Sequence, residues 1–403
     1  MKPKYYMPEF EVLLNHSSAQ DRELRSAITS VSLTTGLEGA DRVELSVANQ
    51  GLVWLDKPQL ANQTHFVLNL GYKPGTLVQM FAGEITGVAA SFPSSGVPQL
   101  TVTAQDKRHR MKQGRQAGWH HEPIQGVGNK PKSDEQLTQQ VAGTHNLTVK
   151  REALSSSLAK IVNAAAQIGL AADVDSQQKA IRQQMNESDY DLLRRLAREN
   201  GMEMVIDHEA KDGGNSLRFF FPPDHTKAEV VLEYGFSLIE FTPRDSSVGQ
   251  VNSVATNLRV PATGKQFGIT LKVNDAQSEL TLKVDTSPVS AKDKEGAIVI
   301  DEPLTPATAP RRLLGELLTR TNEKLTGSGS TIGDPRIRAG TVVCLKSIGI
   351  RFGGLYRVTS ATHTIDGSGY KTKFDVRKEI GLNGLSTDVQ MAKAIRKPSR
   401  ASS

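Results

Sequence analysis

A single cysteine, Cys344, stands in a chain of 403 residues, so no disulfide can form within the chain and the fold must rest on packing. Aromatic residues make up only 5%, too few for the exposed aromatic loops that a receptor-gripping tip would use. No apolar run reaches the length of a bilayer-spanning helix, so no membrane anchor is expected. The opening residues Met1 to Tyr6 lead straight into alternating sequence, without the apolar core and small-residue cleavage site of a secretory signal, and cytoplasmic synthesis is expected. Catalytic signatures are also missing. There is no Gly-x-Ser-x-Gly turn and no helical His-Glu-x-x-His, and Lys265 follows Gly264 without the upstream glycine of a phosphate loop. Acidic residues abound, but no pair is set apart by context as the two carboxylates of a sugar hydrolase would be. The expectation is a protein that is not an enzyme and takes no cofactor.

What is present is the composition of a folded chain, 37% hydrophobic and 23% charged, and long enough for several domains with cores of their own. The formal net charge of +6 concentrates between Lys107 and Lys132 and in a tail carrying Lys393, Arg396, Lys397 and Arg400. A basic stripe attracts polyanions through its long-range field, so a nucleic-acid-binding reading uses Arg108, Arg110, Lys112 and Arg115 on phosphate and Trp119 for stacking. The tail reads as solvated.

Periodicity divides the chain. From Pro8 to about Lys107 the apolar positions alternate, as in Phe10-Val12-Leu14, Val43-Leu45-Val47, Phe66-Leu68-Leu70 and Leu100-Val102, which is the period of strands with one buried face. A basic, Gly-rich connection follows to about Pro131. Ser133 then caps a helix with Gln136 able to reach back, and Leu137 and Val141 lie one turn apart before Asn146 stops it and Leu147-Thr148-Val149 reads as a strand. The arrangement returns 55 positions later: Ser188 caps, Asp191 follows, Leu192 and Leu196 match the apolar pair, and Gly201 takes the place of Asn146 ahead of Met202 to Ile206. Asn and Gly both tolerate the left-handed conformation that ends helices, so two helix-strand units are expected. Between them Leu154 to Gly169 carries apolar residues at helical spacing. Strand texture resumes near Val230 and runs through Leu280-Leu282-Val284. A Pro-rich loop is expected over Ser287 to Pro310, a leucine-rich helix after Pro310, and further strands at Thr341-Val342-Val343, Leu355 to Val358 and Phe374 to Val376.

Few side chains suggest a site. His120 and His121 beside Trp119, with His109 and Glu122 nearby, invite a metal reading, but adjacent residues on extended chain point apart and no third ligand stands at a diagnostic spacing. His363 reads as a packed strand residue, and Cys344, in an apolar strand, as an inert buried thiol.

The segment Asn186-Glu187-Ser188-Asp189-Tyr190-Asp191-Leu192-Leu193-Arg194-Arg195-Leu196-Ala197-Arg198-Glu199-Asn200-Gly201 resembles the signature of the phage late control D family, which includes the hub part of VgrG spikes and the hubs of contractile injection systems. Asp106 to Arg110 with Gly114-Arg115 resembles the connection leaving that family's first barrel, and Gly353 to Val358, His363 and Gly369 to Thr372 resemble its last hairpin. The resemblance implies an α+β, mainly β fold: a first tube-like antiparallel barrel over 1–107, an α/β insertion over 108–225, a second barrel with a helical insert over 226–382, and a basic tail over 383–403. It implies a homotrimeric baseplate hub that adapts a sixfold tail tube to a threefold spike. Its partners would be a separate spike protein, a tube or tube-initiator protein and other baseplate proteins, with DNA or cargo passing through a lumen, and it would assemble into a phage tail or contractile injection particle. Candidate subunit or partner contacts are Arg108, Arg110, Arg115, Trp119, Arg194, Arg195, Arg351 and Phe352. A peripheral receptor-binding tail protein is the further alternative.

Overall fold

A computed structural model describes residues 7–15, 22–124, 128–152, 182–209, 214–246, 251–260, 265–274, 279–285, 288–289, 297–301, 304, 309–322, 324–379 and 384–389. The helix expected over Leu154 to Gly169 lies outside them. The described chain is mainly β, and among the described residues no helix is long and apolar enough to cross a membrane.

Twelve strands, six from each end of the chain, join in one sheet. The first six are Met7–Leu14, Ile28–Gly36, Arg42–Ala48, His65–Lys73, Val78–Ser91 and Gln99–Gln105. The last six are Val230–Glu233, Leu238–Asp245, Leu325–Ile332, Val342–Lys346, Gly354–Asp366 and Gly369–Arg377. Numbered one to six within each set, the strands follow the same spatial order, 2-3-6-5-4-1, in both. The two units differ at strand one, which pairs antiparallel with strand four in the first and parallel in the second. In the second unit an isolated bridge joins Tyr234, just past strand one, to Leu238 at the start of strand two.

The likeness extends to register. Strand two carries a bulge in each unit, between Ile28 and Ser30 and between Leu238 and Glu240, and so does strand five, between Ile85 and Gly87 and between Val358 and Ser360. When these bulges are aligned, the row Ser30, Ser46, Thr101, Ala89 across strands two, three, six and five matches Glu240, Ser330, Lys373, Thr362. A bulge inserts one residue and re-aims those that follow, so matching bulges keep the same positions facing inward.

Each unit encloses its own core. Leu33, Val43, Leu45, Phe66, Leu68 and Phe81 are buried in the first, with Leu24 added from the short helix Arg22–Ala27. Val343, Leu345, Tyr356, Val358, Phe374 and Val376 are buried in the second. The strand alternation read from the sequence is the cause, since period two sends every other side chain into these cores. Strand two of the first unit also pairs with strand five of the second, from Val31 opposite Ile365 to Gly36 opposite Ser360, and this junction makes the twelve strands continuous.

Between the units lie the two helix-strand pairs. Ser133 caps the helix Asp134–Thr144 in a full capping box with Gln136, and Ser188 caps Asp189–Glu199 by accepting from the Asp191 N–H. Asn146 and Gly201 stop them at φ of 56° and 67°. The following strands, Thr148–Arg151 and Glu203–Asp207, flank Ser216–Phe220 in a three-stranded sheet whose core takes Leu137, Val141, Leu192 and Leu196. The stretch expected to be a mere connection forms a short helix, Arg108–Met111, and a strand, Gln116–Ile124, paired with Arg182–Glu187 and Gly128–Pro131.

The second half departs from the expected plan. Ser253–Val260, Lys265–Asn274 and Glu279–Asp285 do not join the second unit; with Ala297–Ile300 and Gly384–Val389 they build a separate five-stranded sheet. The helix Ala309–Thr321 packs Leu313, Leu314 and Leu317 into its core. Period two reports that a strand has a buried face and is silent on which sheet supplies its neighbours. Two further expectations change with it. Ala297–Ile300 is a strand where an exposed loop was read, and Gly384–Val389 pairs parallel with Glu279–Asp285 at the start of the segment read as tail.

Candidate assembly surfaces

The sequence-derived candidates fall into buried staples and exposed positions. Arg108, expected at a surface, is fully buried. Its guanidinium donates to Asp41 Oδ1 at 2.6 Å and to Asp106 Oδ2 at 2.8 Å, and the Arg108 N–H donates to Asp106 Oδ1 at 2.7 Å. His208, arriving from the insertion, accepts the Ala82 N–H on Nδ1 at 3.1 Å, which leaves the proton on Nε2 to be donated to Asp41 Oδ2 at 2.9 Å. Burial pushes the Asp41 carboxyl up, but Arg108 and then His208 outweigh it and hold the group below its ordinary range. Burial works against the Arg108 cation, and Asp106 and Asp41 more than compensate, leaving its pKa raised. Asp41, Asp106 and His208 are the kinds of side chain that hold a metal ion, and their ligand atoms converge. In this cluster Arg108 itself supplies the positive charge. The node fastens the start of the insertion, at Arg108, and the residue after its strand Glu203–Asp207, His208, to the first unit. Tyr190 adds to it by accepting the Gly39 N–H at 2.7 Å.

Arg110 is likewise committed, forming a bidentate pair with Glu84, which also meets His109 Nε2 at 3.0 Å. When the bulges of the two units are aligned, the position equivalent to Glu84 is Arg357. Arg357 is buried and donates to the carbonyls of Pro222, His225 and Gly340 and to Glu379. One position in the repeated fold thus docks the start of the insertion in the first unit and its end in the second. Arg357 appeared in the sequence only inside a motif; its strand position predicted a side chain on one face, with no sign of the three carbonyls that surround it.

The remaining candidates are not brought together. Arg115 reaches the Asn186 carbonyl at 3.3 Å, and Trp119 is 60% exposed on its strand. Arg194 pairs with Glu38, and Arg195 with Glu187 at 2.6 Å and Glu199 at 3.3 Å. Phe352 packs partly buried against the second core, while Arg351 pairs with Asp245 at 2.8 Å beside the end of a strand edge. His120 meets Gln184 at 3.0 Å; the side chains of His121 and Glu122 lie outside the described residues. Cys344 is only half-buried, a correction to the inert-thiol reading, because alternation turns it away from the buried Val343 and Leu345. His363 is buried, donating from Nε2 to the Ile337 carbonyl at 2.8 Å and accepting from Tyr370 and Thr372 on Nδ1 at 2.9 and 3.0 Å. Burial pushes its pKa down to about 4.

Two backbone edges complete the inventory. Leu238–Asp245 pairs with Leu325–Ile332 along one side, and among the described residues nothing pairs along the other beyond the bridge from Tyr234 to Leu238. Val78–Ser91 pairs with His65–Lys73 only as far as Glu84, so among the described residues 86–91 have a partner strand on one side alone. The face of the long sheet turned away from both cores is rich in hydroxyls, including Ser32, Thr34, Ser46, Thr103, Thr362 and Thr364, with Thr34 and Thr362 hydrogen-bonded at 3.1 Å. Its charges are mixed: Glu44, Asp375 and Glu240 stand against Arg42, Lys371, Lys373 and Arg244, while Arg377 on the same face is taken up by Glu203 and Glu379.

No protein-family profile matches the chain, and no curated protein matches it. Solved structures do. A 43 kDa tail protein of prophage MuSo2 from Shewanella oneidensis aligns at 15% identity and a TM-score of 0.60, covering 92% of this chain and 98% of its own. A tail protein from Neisseria meningitidis aligns at 10% identity and 0.59, covering 93% and 97%. An E. coli component of the type VI secretion system, described as structurally similar to T4 bacteriophage tail proteins gp27 and gp5, aligns at 10% identity and 0.56, covering 92% and 78%. The chain has the fold of these tail and secretion-system proteins over nearly its whole length.

Proposed function

We propose that this chain is the baseplate hub of a contractile phage tail or contractile injection system, of the late control D and VgrG type, and that three copies form a ring joining a sixfold tube to a threefold spike. The observation that carries this reading is the repeated strand order and register of the two six-stranded units. Three chains then offer six like units to a tube on one side, while the insertions and the five-stranded sheets, one per chain, keep threefold symmetry on the other. The likeness to solved tail proteins supports the setting. The spike and the tube, or a tube initiator, are separate partners in this reading, and other baseplate proteins surround the ring. The chain is made in the cytoplasm and built into the particle, and its role is mechanical, with no catalytic step.

In such a ring the hydroxyl-rich face lines the channel through which DNA or another cargo passes. Short hydroxyl side chains and mixed charges suit passage better than retention, because a polyanion is held by an excess of cations releasing counterions. The ion pairing of Arg108 and Arg110 weighs against the alternative in which the basic segment binds nucleic acid. Native mass spectrometry of the purified protein, alone and with its spike protein, tests the reading: trimers are expected, and monomers under both conditions would contradict it.

A further inference from the structure

We infer that Arg151 and Arg311 together hold a small oxyanion of the phosphate class at the seam between the insertion and the helix Ala309–Thr321. The inference goes beyond the hub reading and does not depend on it.

The seam is built around Asp134, the first residue of the helix Asp134–Thr144. Both of its carboxylate oxygens are committed. Arg182 donates to Oδ1 from Nε and to Oδ2 from Nη2, each at 2.8 Å, and Asn200 Nδ2 donates to Oδ2 at 2.9 Å. Glu199, the next carboxylate, is shared by Arg182 at 3.0 Å and Arg195 at 3.3 Å.

Two further guanidiniums reach the same place. Strand alternation puts Arg151 on the face of Thr148–Arg151 that carries Val149, and Val149 packs against the core of Leu137 and Leu192. Arg151 therefore lies on the side of the helices, where its charge is felt at Asp134. Arg311 comes from the facing helix, one turn before Gly315, which stands beside Gly201. Among the described residues its side chain makes one long hydrogen bond, from Nη1 to Asn200 Oδ1 at 3.4 Å, and its Nε is buried with no acceptor. Burial works against this cation, the like charge of Arg151 adds to the effect, and Asp134 offsets only part of it, leaving the pKa below its ordinary value. No described carboxylate forms an ion pair with Arg151 or Arg311, because Asp134 and Glu199 are taken up by Arg182, Arg195 and Asn200.

A buried donor without an acceptor is costly, and two like charges brought to one seam are eased most by an anion between them. Planar guanidinium forks match the oxygens of phosphate, and one dianion can accept from both side chains at once. The burial of Nε favours a free ion over the phosphodiester backbone of a nucleic acid, which carries one charge per phosphate and brings a sugar on either side. Bound there, the ion fastens the five-stranded sheet to the insertion, because Arg311 belongs to the helix that packs on the one and Arg151 to a strand of the other.

Calorimetric titration of the full-length protein with inorganic phosphate at constant ionic strength tests the site. Saturable binding is expected, with a rise in unfolding temperature that chloride at the same ionic strength does not give. Arg311→Met and Arg151→Gln should each weaken binding by about tenfold or more, as the loss of a charge-assisted contact would. Arg320→Gln, near the far end of the same helix and paired with Glu316, should leave it unchanged. Arg151→Gln carries the test alone should Arg311→Met fail to fold. No saturable binding up to about 10 mM phosphate, where even a millimolar site fills, would overturn the inference, and so would binding at full strength in Arg151→Gln. Displacement of the phosphate by a short single-stranded DNA would also overturn it, by assigning the two arginines to nucleic acid instead.

Discussion

Arg108 is the residue on which the attachment of the insertion turns, and its environment sets the size of the effect. Removing the guanidinium leaves Asp41 and Asp106 buried with no full cation beside them. Breaking a buried pair from one side costs about 3–5 kcal/mol. Arg108→Met should lower stability by that order in urea unfolding, and a change under about 1 kcal/mol would show that the node contributes little. The sequence displayed Arg108 as one of several cations in a basic stretch. Its burial was not legible, because charge along the chain does not reveal which carboxylates arrive from distant strands.

His363 makes a pH-dependent prediction at the same scale. Its folded pKa is about 4, below the ordinary value of 6.5, so between these pH values the unfolded chain binds a proton that the folded chain refuses. Stability from the neutral, buried ring is fully present above about 6.5 and falls as pH drops toward 4, by a total on the order of 3 kcal/mol. Thermal unfolding between pH 7 and 4.5 should show this decline. His363→Gln, which can still donate and accept, should flatten it; an equal decline in the variant would exclude His363 as its cause.

At the scale of elements, the two helix-strand units were legible because their signals are local. Capping serines, apolar pairs one turn apart and a left-handed stop all lie within one short segment each. Replacing Leu192 and Leu196 with Asp should unfold the insertion, since both positions are buried among apolar neighbours and each carboxylate would lack a partner. Loss of protease protection across 133–152 and 182–207 would report it, and unchanged protection would contradict it. How the helices pack was not legible. Gly315 lets Ala309–Thr321 approach the end of Asp189–Glu199 so closely that an added Cβ would stand 2.2 Å from the Arg198 carbonyl. Gly315→Ala should therefore cost about 1–3 kcal/mol through overpacking, read from the midpoint of chemical unfolding. The strands from Ser253 to Asp285 show the same limit from the other side, since their alternation was plain while their sheet was not.

At the scale of the whole molecule, the sequence carried the likeness of the two ends only through the family resemblance. Aligned residues such as Ser46 and Ser330 agree, but Glu84 and Arg357 carry opposite charges, and Leu33 stands where the second unit has Pro243. Strand order and bulge position preserve what the side chains do not, because a strand needs only one apolar face to hold its place and many residues supply it. The hub account depends on that repetition, and electron microscopy of the purified protein viewed along the ring axis tests it most directly. The account predicts particles of three chains whose inner wall shows six similar lobes around an open channel; particles with three dissimilar pairs of lobes, or single chains with no ring, would contradict it.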